Sequence, residues 1–257
     1  MSDRAPLWAP PLLALQFLTR LPVPPLARLS AAQAGDGLAR AMAWLPLVGS
    51  LIGLVTAGVF VAAGMVWPVL VAAVLALVVE ALLTGAFHED AVADFCDAFG
   101  GTAQGDEARR IMRDSRIGSY GALGLGLLVL LRLAAMTALP PALAIVAIVS
   151  AATFGRLCAV MLAALVPPVA SGAGMAVRMA GARRGTVIPA LLLALPGIVP
   201  IAWLRPWAMV GTALAGAVFL LWLAAFLRRR IGGSTGDCLG FAAYAGQIIL
   251  LLAVAAG

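Results

Sequence analysis

The chain has 257 residues, of which 63% are hydrophobic and only 11% charged, with a mean hydropathy of +1.08 and a formal net charge of +6. A water-soluble domain carries about 25% charged residues, so a soluble enzyme, a secreted disulfide scaffold and a disordered chain are excluded. The basic residues are all arginine and sit in short loops rather than in a dense stripe on a polar domain, which argues against a nucleic-acid partner.

Apolar runs of about 20 residues predict membrane-spanning helices, and no strand alternation suggests a barrel. The expected fold is therefore all-α: a polytopic transmembrane helix bundle forming a single integral-membrane domain over residues 1–257. Residues 1–20, with Pro10 and Pro11, do not read as a signal peptide. Residues 7–18 are too short to cross and are expected to be interfacial or re-entrant. Seven spans follow, at 44–66, 69–87, 120–139, 142–166, 187–204, 207–227 and 238–256. A polar segment at 88–119 separates the second from the third, and Gly- and Arg-bearing loops lie at 167–185 and 228–237. Cys96, Cys158 and Cys238 fit no metal spacing and are expected to be small packing residues.

The arginines orient this arrangement. With the N-terminus inside, fourteen arginines fall on the inner side, Arg205 alone on the outer side, and Arg132 and Arg156 within spans. By the positive-inside rule this predicts an external C-terminus and an active site at the cytoplasmic edge.

Seven of the eleven acidic residues lie between Glu89 and Asp114. Asp90, Asp94 and Asp97 are spaced i, i+4, i+7, which places them on one helical face. Three clustered carboxylates repel one another unless a cation neutralises them, and hard oxygen ligands select Mg²⁺ or Mn²⁺. His88, the single histidine, is a candidate ligand or proton carrier, or else a buried structural residue. Glu80, two turns earlier, needs a partner inside its span. It either pairs with Arg132 or Arg156 or meets substrate. Further on, Arg109, Arg113 and Arg116 repeat the i, i+4, i+7 spacing, and as a helical stripe they would suit a diphosphate clamp. Arg156 within a span should face the bundle interior. The loop Gly232-Gly233-Ser234-Thr235-Gly236-Asp237 could bring backbone amides to a phosphate, although it is not a Walker A loop.

Taken together, Phe17-Leu18-Thr19-Arg20-Leu21-Pro22, Leu83-Thr84-Gly85-Ala86-Phe87-His88-Glu89-Asp90 with Asp94 and Asp97, Ile111-Met112-Arg113-Asp114-Ser115-Arg116-Ile117-Gly118, Gly155-Arg156 and the 232–237 loop resemble the cobalamin synthase family, the adenosylcobinamide-GDP ribazoletransferases. The family pattern has Gly at the positions of Ala91 and Ala98 and carboxylates at those of Tyr244 and Gln247. The resemblance implies transfer of the cobinamide-phosphate group of adenosylcobinamide-GDP to α-ribazole or its 5′-phosphate, giving adenosylcobalamin or its phosphate and GMP. It implies Mg²⁺ as cofactor, held by Asp90, Asp94 and Asp97, with His88 or an aspartate taking the proton. Arg113, Asp114, Ser115, Arg116, Arg156, Thr235, Asp237 and Glu80 are then expected to bind substrate. Expected partners are membrane lipid, other late corrinoid-pathway enzymes or a second copy of the chain. Two other readings compete. A CDP-alcohol phosphotransferase would start its motif Asp-Gly-x-x-Ala-Arg, where this chain has Ala93-Asp94. A transporter would spread acids over several spans, and here only Glu80 lies clearly within one.

Overall fold

The computed structural model describes residues 4–169 and 184–257. Among them the helices are α1 (Ala9–Leu18), α2 (Ala31–Ala41), α3 (Leu45–Gly64), α4 (Val69–Thr84), α5 (Phe87–Gly100), α6 (Gly105–Ile111), α7 (Ser119–Thr137), α8 (Pro141–Leu165), α9 (Arg184–Leu204), α10 (Pro206–Arg230) and α11 (Gly236–Ala255). Six helices are long and apolar enough to cross a membrane, or seven if the bent α4–α5 pair is one span. The expected helical bundle is therefore present.

The bundle is built around α3, α8 and α11, whose shared faces carry small residues. A Cβ at Gly49 would lie 2.5 Å from the Ala152 carbonyl oxygen, and one at Gly53 2.8 Å from the Val149 Cα. Only glycine lets the α3 and α8 backbones come this close, the usual device where lipid gives helices no hydrophobic reason to associate. Polar bonds tie the same seam. Ser50 and Thr153 share a hydrogen bond of 2.8 Å, and Ser150 Oγ donates to the Gly197 carbonyl on α9 at 2.6 Å. Leucines on the outer faces of α7, α9 and α10, such as Leu123, Leu192 and Leu214, are exposed and form an apolar perimeter. α9 runs unbroken through Pro189, Pro196 and Pro200.

The structure corrects three local expectations. The run 69–87 is not one straight helix. α4 ends at Thr84 after 16 residues, Gly85 (φ 73°) and Ala86 (φ 55°) both turn left-handed, and α5 leaves at 90°. The apolar pattern continues through Ala86-Phe87 and hides this break. α5 therefore runs across the direction of α4. The second correction concerns the arginine stripe. α6 stops at Ile111, so Arg113 and Arg116 lie beyond the helix and do not share a helical face with Arg109. In the third, α9 begins at Arg184, so the loop expected over 167–185 ends earlier. Residues 170–183, with Arg178 and Arg183, lie outside the described residues. The segment 7–18 does form a short helix, α1, with Ala9, Leu13, Ala14 and Leu18 buried.

Candidate active site

α5 carries Asp90, Asp94 and Asp97, as the spacing predicts. Asp90 is exposed, and Asp94 and Asp97 are half-buried. The first turns of α5 pack against α11, where Gly240 meets Ala91 with no room for another side chain. That contact brings Asp237, in the first turn of α11, toward Asp90 and Asp94. Partial burial, and then the negative charges of Asp90, Asp237 and Asp97, push the Asp94 carboxyl up to about 7. Among the described residues Asp94 forms no ion pair.

Asp97 is engaged differently. Its Oδ2 accepts from the Gly118 amide and its Oδ1 from the Gly121 amide, both at 2.7 Å. It thereby caps α7, whose first-turn amides lack helical partners. Asp97 thus fixes the end of segment 112–118 against α5. At the other end of that segment, Met112 lies 3.5 Å from the Thr235 hydroxyl. Thr235 also accepts from the Cys238 amide at 3.3 Å and so caps α11. Ser234 binds the Val166 carbonyl at 2.9 Å. The Gly-rich loop is thus a structural strap between α8, segment 112–118 and the acidic face.

The arginines divide by role. Arg109 pairs with Asp106 and donates to the Ile231 carbonyl at 3.3 Å. Arg230 donates to the carbonyls of Gly101 (3.0 Å) and Ala103 (2.7 Å) and lies over the rings of Phe99 and Phe226. Arg116 grips Asp114 through Nε at 3.0 Å and Nη2 at 2.8 Å, which holds that carboxyl down at about 2. Arg110 and Arg113, with Asp106, Asp114 and Ser115, line an open groove of about 520 Å³. Arg110, which the spacing argument passed over, therefore joins Arg113 where Arg109 and Arg116 were expected.

Glu80 is 3% exposed; its Oε2 accepts from Arg132 Nη2 at 2.7 Å and from Thr56 Oγ1 at 2.8 Å. Of the two partners weighed for it, Arg132 is the one that binds. Arg132 also approaches Glu89 at 4.0 Å and lies over the Tyr244 ring. Arg156 is buried and faces the interior, as expected of an arginine within a span. It donates through Nη1 to the Ala152 carbonyl, while its Nε and Nη2 are unpartnered among the described residues. His88 is buried too and packs edge-on against Phe87. Arg156 and His88 line one cavity with Phe17, Met42, Gly236 and Gly240.

The model for cobalamin-5-phosphate synthase matches residues 10–255. The chain belongs to the cobalamin-5-phosphate synthase family. Among similar proteins are the adenosylcobinamide-GDP ribazoletransferases of Ralstonia pickettii (35% identical over 242 residues, covering 93% of this chain and 91% of the relative) and Azorhizobium caulinodans (40% over 253 residues, 94% and 93%). That of Bradyrhizobium diazoefficiens is 39% identical over 251 residues, covering 95% and 92%. No solved structure matches the chain. For this synthase-family chain the structure explains why distant blocks of sequence belong together. The Arg20 amide donates to the Leu83 carbonyl at 2.8 Å, and the Arg20 side chain lies on Gly85, so the first block braces the break before α5. Asp97 binds the end of the Arg-Asp-Ser-Arg-Ile-Gly block, and Asp237 brings the last block to the first aspartates.

Among the described residues, no three His, Cys, Asp or Glu side chains converge closely enough as placed to hold a metal by themselves. Mg²⁺ does not require that. It commonly takes one or two carboxylates and completes its shell with water and substrate phosphate. Asp90, Asp94 and Asp237, which form no ion pair among the described residues, have the right donor chemistry.

Proposed function

We propose that the chain is an adenosylcobinamide-GDP ribazoletransferase, a Mg²⁺-dependent phosphotransferase working at the cytoplasmic face of the inner membrane. The carrying observation is the convergence of Asp237, from the first turn of α11, on Asp90 and Asp94 of α5. The family match over residues 10–255 and the names of the relatives supply the substrates. The arginine distribution supports the orientation.

In this reading a ribose hydroxyl of α-ribazole, or of its 5′-phosphate, attacks the phosphorus attached to cobinamide. A new P–O bond forms, the bond to the bridging oxygen of the diphosphate breaks, and GMP departs with the electron pair. The hydroxyl proton passes to a carboxylate of the cluster that does not hold the cation. Arg110 and Arg113 hold the phosphates by charge-assisted hydrogen bonds. Mg²⁺, bound by Asp90 and Asp94 with Asp237 beside them, would neutralise charge on the phosphate oxygens. Asp97, Asp114, Arg116 and Thr235 keep the surrounding loops in place. Glu80 acts through Arg132 rather than by touching substrate. Alignment and charge neutralisation are the main demands of such a transfer.

The test is direct. Purified protein in lipid, given adenosylcobinamide-GDP, α-ribazole and Mg²⁺, should form adenosylcobalamin and GMP in equal amounts. Failure to release GMP under conditions where both substrates bind would overturn the assignment.

A further inference from the structure

The cavity beside the carboxylates is chemically unlike the arginine groove. It is enclosed by Phe17, Leu18, Met42, Leu45, Phe87, Ala159, Leu239 and Ala243, and its polar side chains are Arg156 and His88 alone. Its closed volume is about 30 Å³, room for one or two waters, and about 440 Å³ when its clefts and open mouth are counted. Arg156, 1% exposed, brings two unpartnered N–H-bearing nitrogens to this region. A buried donor left unmade costs roughly 1–3 kcal/mol, so these two call for an acceptor.

The surrounding charge indicates what kind. Arg156 and Arg132 lie in the field of Glu80 and Glu89, two positive against two negative groups. The formal charges of these four groups, three of them buried and Glu89 half-buried, cancel. An added phosphate would leave a net negative charge in an apolar interior, which is costly. A neutral acceptor on an apolar body would take one of these N–H groups without adding charge. Guanine carries several donors and acceptors along its edges, and the apolar walls would strand most of them. A benzimidazole is a flat hydrocarbon-like ring system with one free acceptor nitrogen.

From this we infer that the cavity is the subsite for the benzimidazole base of the acceptor nucleoside, with Arg156 donating to its free ring nitrogen. The inference rests on the reading given under Proposed function and adds the base-binding site to it. The base would displace the water-sized void and part Phe17 from Phe87, whose rings now meet edge-on at 5.2 Å. Its ribose would then emerge beside Gly236, one residue from Asp237, and beside His88, two residues from Asp90. That is where the attacking hydroxyl is needed.

The test uses the full chain in lipid with two acceptor nucleosides, α-ribazole and the matching indole riboside, in which carbon replaces the acceptor nitrogen. With the wild type, the indole compound should bind at least tenfold more weakly. Ala159→Leu, which fills the cavity without removing a charge, should raise the KM for α-ribazole at least tenfold while leaving the KM for adenosylcobinamide-GDP unchanged. Equal binding of the two ribosides, or an Ala159→Leu protein that is folded and keeps the wild-type KM for α-ribazole, would overturn the subsite. A selective rise in the KM for adenosylcobinamide-GDP would also overturn it, by giving the cavity to the other substrate. Wild-type protein that binds α-ribazole in this nitrogen-dependent way yet forms no GMP would overturn the transferase reading and leave the subsite standing.

Discussion

Asp97 and Gly118, 21 residues apart in the chain, meet through a 2.7 Å hydrogen bond from the Gly118 amide to the carboxylate. The other oxygen of the same carboxylate takes the Gly121 amide. A Cβ at Gly118 would lie 2.5 Å from that carboxylate, so glycine at this position is a condition of the contact. Asp97 should therefore behave as a brace rather than as the strongest metal ligand. Asp97→Asn keeps one acceptor oxygen and should cost about 1–3 kcal/mol in the local fold. Limited trypsin digestion followed by mass spectrometry should show faster cleavage after Arg113 and Arg116 in Asp97→Asn, and not in Asp94→Asn. Equal protection in both would show that the brace is dispensable.

The Asp94 carboxyl, pushed up to about 7, gives the proposed cation site a pH dependence. Its pKa in the folded protein lies above its ordinary value of 3.8. Its contribution to stability is therefore complete below that ordinary value and is lost as the pH rises through about 7. A bound divalent cation favours the ionised form, so binding expels the proton. Apparent Mg²⁺ affinity should thus climb about tenfold from pH 6 to pH 8 and then level off. Asp94→Asn should flatten this profile and, without metal at pH 8, should not be less stable than wild type. Calorimetric Mg²⁺ titrations and thermal unfolding at the two pH values measure both effects.

Arg113 and Arg116 should separate in their kinetics. Arg113 lines the open groove, whereas Arg116 already holds Asp114 with two nitrogens. Arg113→Ala should weaken adenosylcobinamide-GDP binding by roughly ten- to a hundredfold, the value of a charge-assisted hydrogen bond. Arg113→Lys should recover only part, because an ammonium cannot fork onto two oxygens. Arg116→Ala should act more weakly and on loop order. Substrate affinities of the three variants decide this, and equal losses for Arg113→Ala and Arg116→Ala would contradict the division.

Glu80 and Arg132 form a buried pair, so removing one partner strands the other. Glu80→Gln should destabilise the protein by about 3–5 kcal/mol. Replacing both, Glu80→Met with Arg132→Met, should cost less than either single change, because Glu89 and Arg156 remain as a balanced pair. Thermal unfolding in one detergent compares the three.

Ala86 offers a stabilising change. It sits at φ 55° and ψ 26°, where a Cβ is unfavourable. Ala86→Gly should raise stability by about 1 kcal/mol and leave turnover unchanged, as unfolding and activity measurements would show.

The spans were readable from sequence because apolar runs and arginine-bearing loops follow directly from the cost of placing charge in hydrocarbon. The aspartate face on α5 was readable for a similar reason, since i, i+4, i+7 is a property of any helix. What the spacing could not reveal was the partner of each group. Asp97 fits the stripe, but its amide partners come from another helix. Asp237 reaches the cluster only because Gly240 and Ala91 let α11 touch α5. The arginine spacing misled because it assumed that a helix continues past Ile111. Asp114, Ser115 and Gly118, all poor continuers of a helix, were the available warning. Gly85 was the corresponding signal for the end of α4.

The shortness of α4 has a consequence for the surrounding lipid. Sixteen residues reach roughly 24 Å, and its outward side chains, including Leu70, Val74, Val78 and Leu82, are exposed along that length. A hydrocarbon layer is about 30 Å thick, so acyl chains beside α4 must shorten or splay, at a cost of fractions of a kcal/mol per Å of mismatch. Such thinning would bring headgroups and water closer to the break at Gly85 and Ala86. In the proposed reaction, a water-loving nucleotide would then reach the aspartates without crossing the oily layer.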